Sequence, residues 1–126
     1  MVFDLYRRIG SDLFGPSRLD ETLFSGYLYT SMITGVMTAN LSLIGITSLK
    51  GKRSIVKSLI GRLRSRFNIS ISEVDHQDNK NIAVIGISIV SNDSAFIDRQ
   101  FDSILDFMRK DGRFFLGQVE RETFGI

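Results

Sequence analysis

From Ile33 the chain alternates. Ile33, Met37, Ala39, Leu41 and Leu43 are interleaved with Thr34, Thr38, Asn40 and Ser42, the period-two pattern of a strand with one buried face. The period then lengthens. Ile55, Val56, Leu59, Ile60, Leu63 and Phe67 share one arc at helical spacing, which predicts a helix from about Lys52 to Phe67 that stops at Asn68. Ile69, Ile71 and Val74 mark a second strand, and Gln77 to Asn81 is polar turn chemistry. Ile82 to Val90 is a nearly continuous β-branched run, the composition of a buried central strand. Asn92, Asp93 or Ser94 caps a second helix whose apolar stripe is Ile97, Phe101, Ile104, Leu105 and Met108. Asp111-Gly112 ends it, and Phe114 to Phe124 reads as a fourth strand.

The resulting order is βαββαβ. Two split βαβ units closing one four-stranded antiparallel sheet, with both helices on one face, is the α+β ferredoxin-like sandwich. The right-handed crossover rule leaves that order little topological freedom. In the third strand, Ala83, Ile85, Ile87 and Ile89 point one way, and Ile82, Val84 and Val90 the other. Apolar residues on both faces imply a cover for the open side of the sheet, either a second copy in a homodimer or the N-terminal residues 1–31. In that extension, Val2, Leu5, Tyr6, Ile9 and Leu13 precede Pro16, and Leu19, Leu23 and Tyr27 follow it. Both sets have the spacing of short amphipathic helices. The domain proper is read as 32–126.

Composition alone is uninformative: 43% apolar and 24% charged residues are ordinary for one globular domain of 126 residues. The absence of Cys excludes a disulfide scaffold, a thiolate metal site and a cysteine nucleophile. No apolar run approaches a bilayer span, and Met1 to Arg8 lacks a secretory signal's apolar stretch, so a cytoplasmic protein without membrane association is expected.

Charge changes the picture. Lys50, Lys52, Arg53, Lys57, Arg62, Arg64 and Arg66 lie in a stretch, 33–72, with no Asp or Glu, while the rest of the chain is acidic on balance. The net charge of +2 therefore hides a dipolar molecule, and a concentrated basic surface is the electrostatic footprint of a polyanion. A merely solvated face and a protein partner are the competing readings. Around the helix, Ser54, Ser58, Gly61 and Ser65 lie opposite the apolar arc, with Arg53, Lys57 and Arg64 on one flank and Arg62 and Arg66 on the other. A mid-helix Gly costs about 1 kcal/mol relative to Ala, which close approach of another backbone would justify. Lys50, Lys52 and Arg53 crowd the helix start, where free N–H groups also attract anions. Lys52 itself falls inside the apolar arc if the helix has already begun there.

Other chemistries are thinner. Gly45 to Arg53 follows a strand and opens a helix, but its spacing is wrong for a phosphate-binding loop, and Arg53 stands where a magnesium-binding Ser or Thr belongs. Glu73, Asp75, His76 and Asp78 gather three carboxylates and the only His, a possible metal-binding, catalytic or partner-binding corner. Neighbouring residues at a strand end diverge, however, so a polar turn closed by backbone hydrogen bonds competes with that reading. The two central strands lack the aromatics on which RNA recognition motifs stack bases. Any RNA would be held through the helix and its phosphates.

From Met32 to about Glu122 the chain resembles the YlxP-like family of small bacterial proteins of unknown function. Ser48 to Leu59 carries the likeness, with Arg62-Leu63-Arg64, Arg66-Phe67-Asn68, Glu73 to Asp78, Val90 to Asp93 and Val119 to Glu122. Gly51 and Gly61 depart from the more polar residues expected there, and Met32 is where a family member would begin. The resemblance implies a ferredoxin-like fold and a gene often found beside translation and ribosome-maturation factors, including ribosome-binding factor A. The expectation is a non-enzymatic, cofactor-free protein that meets ribosomal RNA or the small ribosomal subunit through the seven basic residues, in small-subunit RNA maturation or translation. The alternative is a small enzyme or a ligand- or metal-binding module built on Glu73, Asp75, His76 and Asp78.

Overall fold

The computed structural model describes residues 32–126; the helices read within 1–31, and any cover they give the sheet, lie outside the described residues. Strand β1 spans Ile33–Leu43, helix α1 Leu49–Arg66, β2 Ser70–Asp75, β3 Ile82–Ser91, α2 Ser94–Arg109 and β4 Phe114–Gly125. The strands lie in the order β2-β3-β1-β4, every neighbouring pair antiparallel. This is the ferredoxin-like βαββαβ sandwich.

Capping, not apolar periodicity, sets the helix starts. Helix α1 begins about one turn before the apolar arc, because the Ser48 hydroxyl accepts the Gly51 N–H at 3.0 Å. Of three candidate caps for α2, Asp93 is used: its Oδ1 accepts from the amides of Ala95 (2.9 Å) and Phe96 (3.3 Å). Met37, Ala39 and Leu41 of β1 and Ala83, Ile85, Ile87 and Ile89 of β3 form the floor of the core. Val56, Leu59 and Leu63 of α1 and Ile97, Phe101, Ile104 and Met108 of α2 close it from above. Gly35 is where α2 presses hardest on the sheet: a Cβ there would lie 2.4 Å from Ile97 Cγ2 and 2.8 Å from Phe101 Cε2. Any larger residue there forces the Ile97 and Phe101 side chains to shift.

The opposite face of the sheet carries no aromatic on its two central strands: Thr34, Val36, Thr38, Asn40 and Ser42 lie beside Val90, Ser88, Gly86, Val84 and Ile82. A register shift between Glu73 and Asp75 leaves Val74 folded over Gly86, against the space a Cβ would need. Phe114 is buried, while its neighbour Phe115 is 69% exposed, as adjacent strand positions on opposite faces require.

The core also encloses a charge. Lys52 is wholly buried, because the early start of α1 carries it into the apolar arc. Its Nζ donates to the carbonyls of His76 and Asn79 and lies 2.8 Å from Glu73 Oε2. That last contact is ionic proximity and not an aligned hydrogen bond, since Glu73 Oε2 accepts none. The expectation that Lys52 meets a phosphate is therefore corrected: burial beside a carboxylate takes it out of the exposed set. His76 adopts φ 58°, a left-handed conformation uncommon outside Gly. Its carbonyl also accepts the Asn79 N–H at 3.0 Å, so Lys52 and the turn backbone share one acceptor. Asn79 Oδ1 then accepts from Asn81 (2.8 Å) and Ile82 (3.1 Å), starting β3.

Removing one partner of a buried ion pair costs about 3–5 kcal/mol, whereas apolar replacement of both is far milder. Lys52→Met should thus lower unfolding free energy by about that amount in urea, and the Lys52→Met/Glu73→Leu double variant should recover part of it. A single variant that unfolds at the wild-type urea midpoint would show that the ammonium is solvated and not enclosed.

Candidate functional site

Helix α1 distributes the remaining six basic residues between its two flanks. Lys50, Arg53, Lys57 and Arg64 fall within an arc of roughly 60°, along roughly 21 Å of helix, and all four are exposed. This row lies beside the β2 edge. Arg64 Nη2 donates to Ile71 O at 3.3 Å, occupying a carbonyl on that edge strand and discouraging strand addition there. Arg53 Nη2 reaches Asp78 Oδ1 at 3.9 Å, with both side chains solvated, a pairing worth little. Lys50 and Lys57 have no ionic partner among the described residues.

Arg62 and Arg66 face the other way, toward α2. Their guanidinium carbons sit 5.1 and 4.7 Å from the centre of the Phe107 ring, and Arg62 Nη1 lies 3.7 Å from Asp111 Oδ2. Asp111 belongs first to Arg113, which grips both its oxygens at 2.6 and 2.7 Å and reaches Ser58 Oγ at 3.4 Å. So the seven predicted contacts separate into an exposed row of four, a pair stacked on an aromatic ring, and one buried strut. Of the small residues on the exposed ridge, Ser58 is tied to Arg113, but Gly61 has nothing within 4 Å of where a Cβ would stand. No packing among the described residues accounts for its glycine.

The acidic corner does not converge. Glu73 points under α1 to Lys52. Asp75 Oδ1 accepts the His76 backbone N–H at 2.7 Å, and Asp78 stands out in solvent near Arg53. Among the described residues no group of three His, Cys, Asp or Glu is placed to hold a metal, and no helix is long and apolar enough to cross a membrane. Sequence reasoning missed Phe107 and Lys110 of the inter-helix cleft. Its signal was an aromatic just outside the α2 stripe, among charged residues.

Residues 34–121 match the family model described as Protein of unknown function (DUF503), so the chain belongs to that family. A relative, the uncharacterized protein YlxP of Bacillus subtilis (strain 168), is 34% identical over 61 residues, covering 48% of this chain and 66% of the relative, a little under two thirds of its length. Solved structures superpose at lower likeness. A de novo designed protein, Foldit4, superposes with a TM-score of 0.45 at 16% identity over 74% of this chain and 96% of its own. SnoaB, a cofactor-independent oxygenase from Streptomyces nogalater, gives 0.38 at 15% identity over 75% and 91%. A dimeric ferredoxin-like protein from an uncultured marine organism gives 0.37 at 9% over 75% and 95%.

The Arg113 clamp lowers the Asp111 pKa from its usual 3.8, against the opposing effect of burial. A depressed folded-state value means that this stabilisation is complete above the unfolded pKa of about 3.8 and is lost as pH falls through the lower folded value. Asp111→Asn should therefore lower the thermal midpoint at pH 7 and flatten the acid limb of stability below pH 4. Parallel acid limbs for variant and wild type would contradict the clamp.

Proposed function

We propose that this protein is a non-enzymatic, RNA-binding factor that associates with ribosomal RNA of the small subunit, docking α1 on phosphates through Lys50, Arg53, Lys57 and Arg64. The observation that carries the reading is that row of four exposed cations on a helix devoid of acids, where among the described residues only Arg53 has an ionic partner, at 3.9 Å in solvent. A solvated face would gain from interspersed acids, which form stabilising pairs along a helix; this face has none and bears their absence as self-repulsion. Gly61 adds to the argument, since it leaves open space midway along the ridge where a phosphodiester backbone approaches closely.

The sheet plays no part in base recognition, because its central strands present only β-branched and small polar side chains. Affinity then comes from phosphates, and sequence selectivity from the shape of the RNA. The family resemblance implies a gene often found beside ribosome-maturation factors, so small-subunit ribosomal RNA is the partner we propose to test.

Binding of a labelled small-subunit RNA fragment should fall linearly on a log–log plot against salt. Three to four neutralised phosphates on a single strand give a slope of about −2 to −3. The Lys50→Gln/Arg53→Gln/Lys57→Gln/Arg64→Gln variant should lose most of that slope and most of the affinity while melting normally. Retention of wild-type affinity and slope by that variant would remove the proposal.

A further inference from the structure

The cleft between α1 and α2 is a second place where charge collects, and it differs in kind from the open row. It is an open recess of about 450 Å³ lined by Arg62, Arg66, Phe107, Lys110, Asp106 and Asp111. Both acids are already committed. Asp111 is held at both oxygens by Arg113, and Asp106 Oδ1 accepts from Arg109 at 3.2 Å. Arg62 shares Asp111 with Arg113 through a 3.7 Å contact, so Arg62, Arg66 and Lys110 are three cationic side chains lining one recess. Lys110 and Arg66 have no ionic partner among the described residues.

Phe107 makes the arrangement more than a charge patch. A guanidinium stacked on an aromatic ring spends its flat face and leaves its N–H edge free, already oriented. Two guanidinium groups over one ring, at 5.1 and 4.7 Å, hold both arginines against one wall of the recess. A planar fork suits oxyanions bidentately, and phosphate above all. A bridging phosphodiester brings one negative charge, which the open row already accommodates. Three cations lining one recess, whose two carboxylates are already held by Arg113 and Arg109, suit the dianion of a phosphate monoester.

We propose that this cleft binds a phosphate monoester, either the 5′-terminal phosphate of an RNA strand or that of a free mononucleotide, with Arg62 and Arg66 as the forks and Lys110 as the third charge. The first source rests on the RNA reading above; the second does not. If the strand runs along the outer row of α1, its phosphorylated end reaches the far flank by crossing the low ridge at Gly61.

The test uses the full chain and two versions of one short RNA, with a 5′-phosphate or a 5′-hydroxyl, plus adenosine monophosphate and inorganic phosphate as small probes. The phosphorylated RNA should bind about 5–10-fold more tightly. Arg66→Gln/Lys110→Gln should erase that difference, leaving affinity for the 5′-hydroxyl RNA and the melting temperature close to wild type. Adenosine monophosphate that binds in a manner lost in the same variant, while neither RNA binds, would assign the cleft to free nucleotides and sink the RNA proposal alone. Equal affinity for the two RNAs with no binding of the small probes would overturn the cleft and leave the open row standing. A 5′-phosphate preference that survives in the variant would also overturn it.

Discussion

Lys52 is the one charged residue among those described that the fold buries outright, and the pose of α1 follows from how that charge is satisfied. Its ammonium fills the hollow formed by the His76 and Asn79 carbonyls and the Glu73 carboxylate. The first turn of the helix is thereby joined to the β2–β3 turn. An ion enclosed in this way demands specific geometry, because misplacement leaves carboxylate and ammonium desolvated without compensation. The rotation of α1 about its own axis is fixed from that point. With Lys52 pointing inward, Lys50, Arg53, Lys57 and Arg64 face outward by helical geometry, and Arg62 and Arg66 turn toward α2.

The basic segment is therefore an assembly of three devices. Lys52 holds the scaffold, Arg62 and Arg66 are set in place by Phe107, and the outer row is exposed. The acidic corner, in turn, is consumed by scaffold work: Glu73 neutralises Lys52, and Asp75 closes on the amide of His76. One ion pair thus accounts both for a cation withdrawn from the surface and for a carboxylate withdrawn from a candidate reactive cluster. The second clamp, Asp111 with Arg113, does the equivalent beside the middle of α1, where Arg113 also reaches Ser58.

Much of this was legible before any coordinates. Alternation from Ile33, the apolar arc of α1, the β-branched run of β3 and the α2 stripe are local patterns, and the fold order follows from them. The helix start was displaced because Ser48 and Gly51 make a cap that apolar spacing does not reveal. Lys52 carried a visible sign, a cation inside an apolar arc, but its partners lie more than twenty residues away, and one is a carbonyl positioned by a left-handed His76. Long-range pairing of this sort leaves no period. The same limit hid Phe107: its role depends on two arginines from another helix, whereas its own neighbourhood reads as solvent-facing α2.

The proposed contact of RNA with the outer row of α1 is open to crosslinking in living cells, which assumes no particular ligand. The full chain, tagged and expressed in a bacterial host, would be crosslinked with ultraviolet light and purified under denaturing conditions, with both the attached RNA and the modified peptides identified. Enrichment of small-subunit ribosomal RNA over an untagged control is expected, with nucleotide adducts between Lys50 and Arg64. No RNA above that control, or adducts confined to the sheet and the β2–β3 turn, would contradict it.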